Sequence, residues 1–408
     1  MSATTLLTPV FAGVGPDHPF AAQVDQLRAA VEHRLPAAAG SRQLRSAELK
    51  GRRTSTGFDL VRAYCSLQSW HPSPHEPFAA STLHWTAEAP DDPTWAELTD
   101  EPYLGDVEAL LRNPAGSVEV LRYVPTRRFT VSAGGVVTKV KRRSRLLDSA
   151  GRVAAIVSAV SAATTTEVRV PALVGVDAEK GTYAQLLVEG HPMSELAGAA
   201  TGGSVLDLLA EAGRVHAAFH ALSVPGLPVG EATATVAAVR RDADWAAFFR
   251  PELADVLATT RDRLVATAPP ASAGAAGTCH GDLVPSHLLA AAGGWTVIDL
   301  DLAHDGDRYR DLALFLAGLP GDVAALADGT AAPGLLGAAE SAYLTAYARS
   351  WGRPLDPRRL AWHRAAAELR HLSLMFSKDT LRPAAVARIL VVLEETLPVL
   401  AHRARTAS

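Results

Sequence analysis

The segment Cys279-His280-Gly281-Asp282-Leu283-Val284-Pro285-Ser286-His287, with Val297-Ile298-Asp299-Leu300-Asp301 behind it, constrains this chain more than any other. An acid stands directly after a His-Gly pair, and a second acid ends an apolar run 17 residues later. Between them, Ser286 to Ala292 is apolar, Gly293-Gly294 is a hairpin turn signal, and Trp295 to Leu300 is apolar again. That spacing predicts strand, turn, strand. A lone His-Gly-Asp arises often by chance, and Asp299 alone could simply end a buried strand. The joint pattern points to a site built from two carboxylates.

Two acids in this arrangement suit phosphoryl transfer. One carboxylate orients and deprotonates an attacking hydroxyl, and the other holds magnesium on the nucleotide phosphates. Upstream, Val118 to Tyr123 alternates as a strand, Pro125 breaks it, and Arg127 to Val131 resumes. After the Ala133-Gly134-Gly135 turn, Val136 to Lys141 reads as a third strand. The chain has only five lysines, and two of them, Lys139 and Lys141, share one face of this strand by the two-residue period. An amine here is a compact charge suited to phosphates; the bland alternative is an edge strand carrying protective lysines.

Together these segments resemble the aminoglycoside phosphotransferase family, small-molecule kinases related in fold to protein kinases. Lys139 fits the family's V-x-K-V form. Glu189-Gly190-His191-Pro192-Met193 is similar to its interlobe hinge, Phe219-His220-Ala221-Leu222 to its L-H-x-L helix end, and Gly306-Asp307-Arg308-Tyr309-Arg310-Asp311-Leu312-Ala313 to its GDP-x-x-D-L-A segment. The resemblance implies an α+β, two-lobed protein-kinase-like fold. A small antiparallel sheet would form the N-lobe over 116–188, and a mainly helical C-lobe would span 189–408. Residues 1–115 would be an N-terminal extension or cap. It also implies ATP or GTP and Mg2+ as cofactors, and a hydroxyl acceptor such as a sugar or antibiotic-like metabolite. Asp282 would be the base and His280 the brace of its loop. Lys139, with Lys141 in reserve, would grip the phosphates, Glu189 would lie at the nucleotide, and Asp299, assisted by Asp301, would bind the metal. His220 and Asp307 are expected to be structural, with Asp311 an N-cap for a helix from Leu312.

The chain departs from the family pattern at three points. His287 stands where the family has Asn, the helix over 146–163 has no Glu to pair with Lys139, and no G-x-G-x-x-G loop is present. His287 is therefore read as a metal ligand, as a partner of Asp282, or as a sign of lost activity. The amides of the Ala133-Gly134-Gly135 turn, or the charges of Arg127 and Arg128, would meet the phosphates instead. Two further readings stay open: a kinase of Ser/Thr on a precursor peptide, and a nucleotide-binding pseudokinase.

The rest of the chain sets limits. At 408 residues it exceeds one compact core. Net charge −4 gives no electrostatic case for nucleic acid or an anionic membrane, and no run approaches about 18 apolar residues. Two cysteines make neither a disulfide framework nor a cysteine-based zinc site, and a cytoplasmic location is expected. Leu44 to Leu60 has the rhythm of Val118 to Val131, suggesting a repeated strand–turn–strand capping the small lobe, while Asp91-Asp92-Pro93 and Trp95 are expected to open a helix. Ser204 is a plausible N-cap for a helix running to Leu222. From Gly337 to Leu400 the periodicity is helical, with Trp362, Leu369, Leu372 and Met375 on one face and Glu368 read as an exposed charge or a contact for a cationic acceptor.

Overall fold

A computed structural model describes residues 14, 16–34, 42–55, 58–69, 78–100, 104, 107–111, 118–163, 167–199, 202–230, 232–270, 274–291, 293–326, 334–377 and 383–401. Ala292 of the expected hairpin and the side chains of Leu44, Asp92 and Ser204 lie outside the described set.

The chain opens with helix α1 (Ala21–Arg34) and an antiparallel sheet of β1 (Arg42–Arg53), β2 (Phe58–Ser69), β3 (Ala80–Thr86) and β4 (Ala89–Glu97), ordered as in sequence. The two-residue period of β2 divides its neighbours. Ala63, Cys65 and Leu67 share a core with Val24, Leu27 and Val31 of α1. The intervening Tyr64, Ser66 and Gln68 are buried too, but they carry polar groups toward the next sheet. Asp91 to Trp95 belongs to β4 and not to a helix. Trp95 pairs with Leu83 in the β3 register, and Pro93 is tolerated because β4 is an edge strand.

After the short α2 (Val107–Leu111) comes the N-lobe sheet. It comprises β5 (Glu119–Val124), β6 (Arg128–Ala133) and β7 (Val136–Lys141), then helix α3 (Arg143–Ala162), β8 (Val168–Arg169), β9 (Leu173–Asp177) and β10 (Thr182–Leu186). The sheet runs β5-β6-β7-β10-β9, while β8 joins the C-lobe. Successive turns of a meander fall at opposite ends, and this corrects one expectation. The Gly134-Gly135 turn lies beside Leu187, whose N–H donates to the Gly135 carbonyl at 2.8 Å. It is the β5–β6 turn, with Thr126 at φ 60°, that stands at the end where Arg128 and Lys141 pair.

The C-lobe begins with β11 (His191–Pro192), α4 (Met193–Ala199), α5 (Gly202–His220), α6 (Ala232–Phe249) and α7 (Ala254–Ala266). Helix α5 starts two residues before Ser204, which is therefore not its N-cap. Next come β12 (Ala276–Cys279), β13 (Leu288–Ala291), β14 (Gly294–Val297) and β15 (His304–Asp307). The expected hairpin is β13–β14, and β12 pairs with β15, Cys279 opposite His304. Helices α8 (Arg308–Leu326), α9 (Leu335–Trp351), α10 (Pro357–Ser377) and α11 (Pro383–Ala401) complete it. Trp362, Leu369, Leu372 and Met375 are all buried on α10, as the periodicity predicts. Helices α5 and α9 cross closely enough that a Cβ on Gly213 would overlap the Tyr343 carbonyl oxygen.

The N-terminal sheet belongs to two cores. With α1 it packs against Val239, Trp245 and Phe249 of α6 and against Leu369 and Leu372 of α10. On its other side Ala80 and Leu98 join Tyr123, Phe129 and Val140 of the N-lobe. Polar contacts seal that second seam: Thr82 Oγ1 lies 3.1 Å from the Tyr123 hydroxyl, Tyr64 donates to Glu48 at 3.1 Å, and Arg127 donates to the same buried carboxylate.

Candidate active site

Strand β12 delivers His280 and Asp282 to the cleft, and the loop between them is held by one carboxylate. Asp311 accepts the amide N–H of His280 and, at 2.9 Å, that of Gly281. It lies within the first turn of α8 and does not cap it. The N-cap is Asp307, which accepts the Tyr309 amide at 3.1 Å. Asp311 is fully buried, against His220 Nε2 at 3.4 Å. Burial alone would raise its pKa, but hydrogen bonds from its histidine neighbours hold it well below the carboxylate range. His220 is structural, as expected: its Nδ1 meets the Tyr347 hydroxyl at 2.7 Å, and burial pushes its pKa down to about 3.

Tautomers in the loop follow from what a carbonyl can do. His280 Nε2 lies 2.8 Å from the Ile298 carbonyl, which only accepts, so that nitrogen carries the proton and Nδ1 accepts the Asp282 amide at 3.3 Å. Burial keeps this ring on the neutral side. His287 Nδ1 likewise donates to the Asp282 carbonyl at 3.0 Å. In the neutral ring this leaves the Nε2 lone pair 3.7 Å from Asp299 Oδ2. The Asp282 carboxylate itself makes no hydrogen bond or ion pair among the described residues.

Asp299 has a left-handed backbone at φ 63°, a conformation uncommon outside glycine that aims its carboxylate into the cleft. Lys139 donates to it at 2.6 Å and Arg128 at 3.2 Å. Burial alone would raise the Asp299 pKa, but Lys139, His287 and Arg128 together outweigh it and hold the carboxyl well below its usual range. Asp301 is placed differently. Its oxygens are taken by Lys141, by the Tyr183 hydroxyl and, at 3.4 Å, by Lys139. The two lysines therefore do share a face, and no helical acid is needed to hold them. Helix α3 instead sends Arg152 to the Asp301 carbonyl at 3.4 Å. Glu189 is exposed in the segment joining β10 to β11, away from this cluster of contacts.

Sequence reasoning missed Tyr183 and Arg152. It named Arg128 only as one of two alternatives. Glu368 was misread: it is fully buried against Arg364 at 3.0 Å and Arg388 at 3.1 Å, so it is neither exposed nor available to an acceptor.

Asp307 offers a measurable check on this framework. Arg359 Nε and His363 Nε2 hold its carboxylate at 2.8 and 2.9 Å. Burial opposes ionisation, but these partners win and lower its pKa to about 2. A depressed carboxyl stabilises the fold above its unfolded pKa, and that contribution is lost as pH falls through the folded value. Asp307→Asn is expected to cost about 2 kcal/mol at pH 7, the gap to wild type closing between about pH 4 and pH 2. Urea titrations across that range measure it; a gap independent of pH would contradict the linkage.

Comparison with known proteins agrees with this two-lobed architecture. The model of the phosphotransferase enzyme family (APH) matches residues 122–363, more than half of the chain. Among solved structures, a thermostable mutant of aminoglycoside phosphotransferase APH(4)-Ia in its apo form superposes with a TM-score of 0.51 at 16% identity, covering 72% of this chain and 99% of that one. A glucosamine kinase in complex with glucosamine, ADP and inorganic phosphate gives 0.49 at 18%, covering 81% and 94%. A choline/ethanolamine kinase family protein from Mesorhizobium loti gives 0.46 at 15%, covering 72% and 97%. At 16% identity the likeness to APH(4)-Ia concerns the fold alone. No curated protein matches the chain, and no helix among the described residues is long and apolar enough to cross a membrane. With its bilobal architecture, its paired acids and a family match across both lobes, this chain belongs to the phosphotransferase enzyme family and is a kinase.

Proposed function

We propose that the enzyme transfers the γ-phosphoryl group of ATP or GTP to a hydroxyl of a small molecule such as a sugar or antibiotic-like metabolite. The observation that carries this reading is the convergence of Lys139, Lys141 and Arg128 on Asp299 and Asp301, across the cleft from a loop that presents Asp282, whose carboxylate has no partner among the described residues. Three cations against two carboxylates suit a polyphosphate. In this reading residues 1–115 are an appended cap, 116–188 the N-lobe and 189–408 the C-lobe. Glu189 lies in the hinge, where backbone groups would meet the base.

Asp282 orients the acceptor hydroxyl and takes its proton as the bond to phosphorus forms. His280 fixes that loop by donating to Ile298 and accepting the Asp282 amide. In a loose transition state little basicity is required, so positioning supplies most of the rate. Lys139 and Arg128 hold phosphate oxygens once a nucleotide competes for them.

A divalent cation fits the donor set of Asp299 and His287, with Asp301 behind them anchoring the lysines. Asp299 would hold such an ion through a carboxylate oxygen and His287 through its Nε2, which lie 3.7 Å apart. When bound, such an ion neutralises phosphate charge during transfer. Because an imidazole nitrogen suits magnesium poorly, His287 favours a transition ion such as Mn2+ or Co2+. Isothermal titration with ATP and GTP in Mg2+, Mn2+ or EDTA, followed by phosphoryl transfer to a panel of sugars and amino-sugars, tests both points. Metal-dependent binding and acceptor-dependent transfer are expected, with His287→Asn moving the affinity preference toward Mg2+ by about tenfold. Absence of nucleotide binding under every metal condition would sink the reading, and an unchanged metal preference would sink the role of His287.

A further inference from the structure

A second recess lies within the C-lobe, away from the phosphate site. It is a cavity of about 1070 Å3 between α6, α8 and α10, and neither Lys139, Asp282 nor Asp299 lines it. That volume accommodates a drug-sized molecule. Much of its wall is apolar, with Val236, Leu314, Trp362 and Leu374 contributing.

The charge on that wall runs against the whole chain. Five arginines line the cavity against three aspartates, whereas the molecule carries a net charge of −4. Some of this charge is cancelled locally. Arg241 pairs with Asp242 at 2.9 Å, and Arg359 holds Asp307. Arg310 is not cancelled. Its recorded polar partner is His304 Nε2 at 3.3 Å, and His304 Nδ1 faces the Leu302 carbonyl at 3.0 Å. The carbonyl can only accept, so the proton sits on Nδ1 and the ring meets Arg310 through a lone pair without supplying a countercharge. Arg370 makes no hydrogen bond or ion pair among the described residues. Arg370 shares the charge of Asp242 with Arg241, and five guanidinium groups against three carboxylates leave this concave, partly apolar surface with an excess of positive charge, a receptor for a molecule with an apolar body and an anionic end.

We propose that this cavity binds a small amphipathic anion, its carboxylate or phosphate held by Arg310 and Arg370 and its ring or chain packed on Trp362, Leu314 and Leu374. The site goes beyond the phosphoryl-transfer reading and does not depend on it. Its β15 wall, His304 to Asp307, follows Asp301 directly in the chain and pairs with the strand that leads into His280. An occupant would therefore touch the segment that positions both catalytic acids.

The test uses the full chain and three probes by isothermal titration: 1-naphthoate, 1-naphthyl phosphate and the neutral 1-naphthalenemethanol. Either anion is expected to saturate one site and to outbind the neutral probe by about tenfold or more. The stronger of the two anions identifies carboxylate or phosphate as the natural group. Arg370→Gln is expected to remove that preference at an unchanged melting temperature, since it breaks no recorded ion pair. Arg310→Gln should act in the same direction. The proposal is overturned if neither anion binds, if the neutral probe binds equally well, or if both substitutions leave anion binding intact. It also falls if Lys139→Gln abolishes binding, because the probe would then be reporting the phosphate site.

Discussion

Replacing Asp282 with Asn is expected to lower turnover by about 10²- to 10⁴-fold while leaving nucleotide affinity within about twofold. The structure makes this a clean substitution. The loop backbone is fixed from outside the side chain, by Asp311 on the His280 and Gly281 amides and by His287 on the Asp282 carbonyl. The carboxylate has no partner among the described residues to lose, so Asn keeps the shape and removes the proton acceptor. Single-turnover kinetics with a competent acceptor, alongside titration of the nucleotide, separate the two effects. A loss near the lower bound would mean that orientation carries most of the rate, as expected for a loose transition state. Full turnover in the variant would remove Asp282 from the mechanism.

The largest expected loss of stability lies far from the cleft. Glu368 is completely buried, bridging Arg364 and Arg388, while Arg364 also reaches Glu340 at 2.8 Å. Removing one member of a buried ion network leaves charge without a partner in a poor dielectric, which costs about 3–5 kcal/mol. Because Arg364 keeps Glu340, Glu368→Ala is expected at the lower end, about 3 kcal/mol. Glu368→Gln should lose less, since it retains hydrogen-bond acceptors. Urea denaturation reads this as a shift in midpoint at constant slope. A Glu368→Ala protein within about 0.5 kcal/mol of wild type would show that solvent reaches these arginines.

Local chemistry was readable in the sequence because its signals are local. The His-Gly-Asp turn, the β13–β14 hairpin and the strand bearing Lys139 and Lys141 each announce themselves within a dozen residues. What holds the site together is not local. Arg128 and Asp299 are 171 positions apart, Tyr183 and Asp301 118 apart, and no periodicity encodes such meetings. Asp311 shows how a sound rule picks the wrong residue. An acid near a helix start suggests a cap, but the helix begins at Arg308, so Asp307 takes the cap and Asp311 is left to face the loop. Helical periodicity correctly buried one face of α10. It could not reveal that Glu368 lies buried there as well, because arginines on the same helix and on α11 make that position tolerable. Nor does an Asp-Asp-Pro-Thr-Trp stretch disclose strand β4, whose conformation is imposed by pairing with β3.

The N-terminal sheet bears on how the cleft moves. Its α1 face is fused into the core of α6 and α10, and its polar face is bolted to β5 and β6 through Glu48, Arg127, Thr82 and Tyr123. Rotating one lobe against the other must therefore shear one of two packed seams, in addition to bending the segment that joins β10 to β11. The gap between Arg128 and Asp299 is thus a mechanical property of the whole chain. Sequence change in β1 to β4 can stiffen or loosen the jaws of the enzyme without altering any residue that meets the nucleotide.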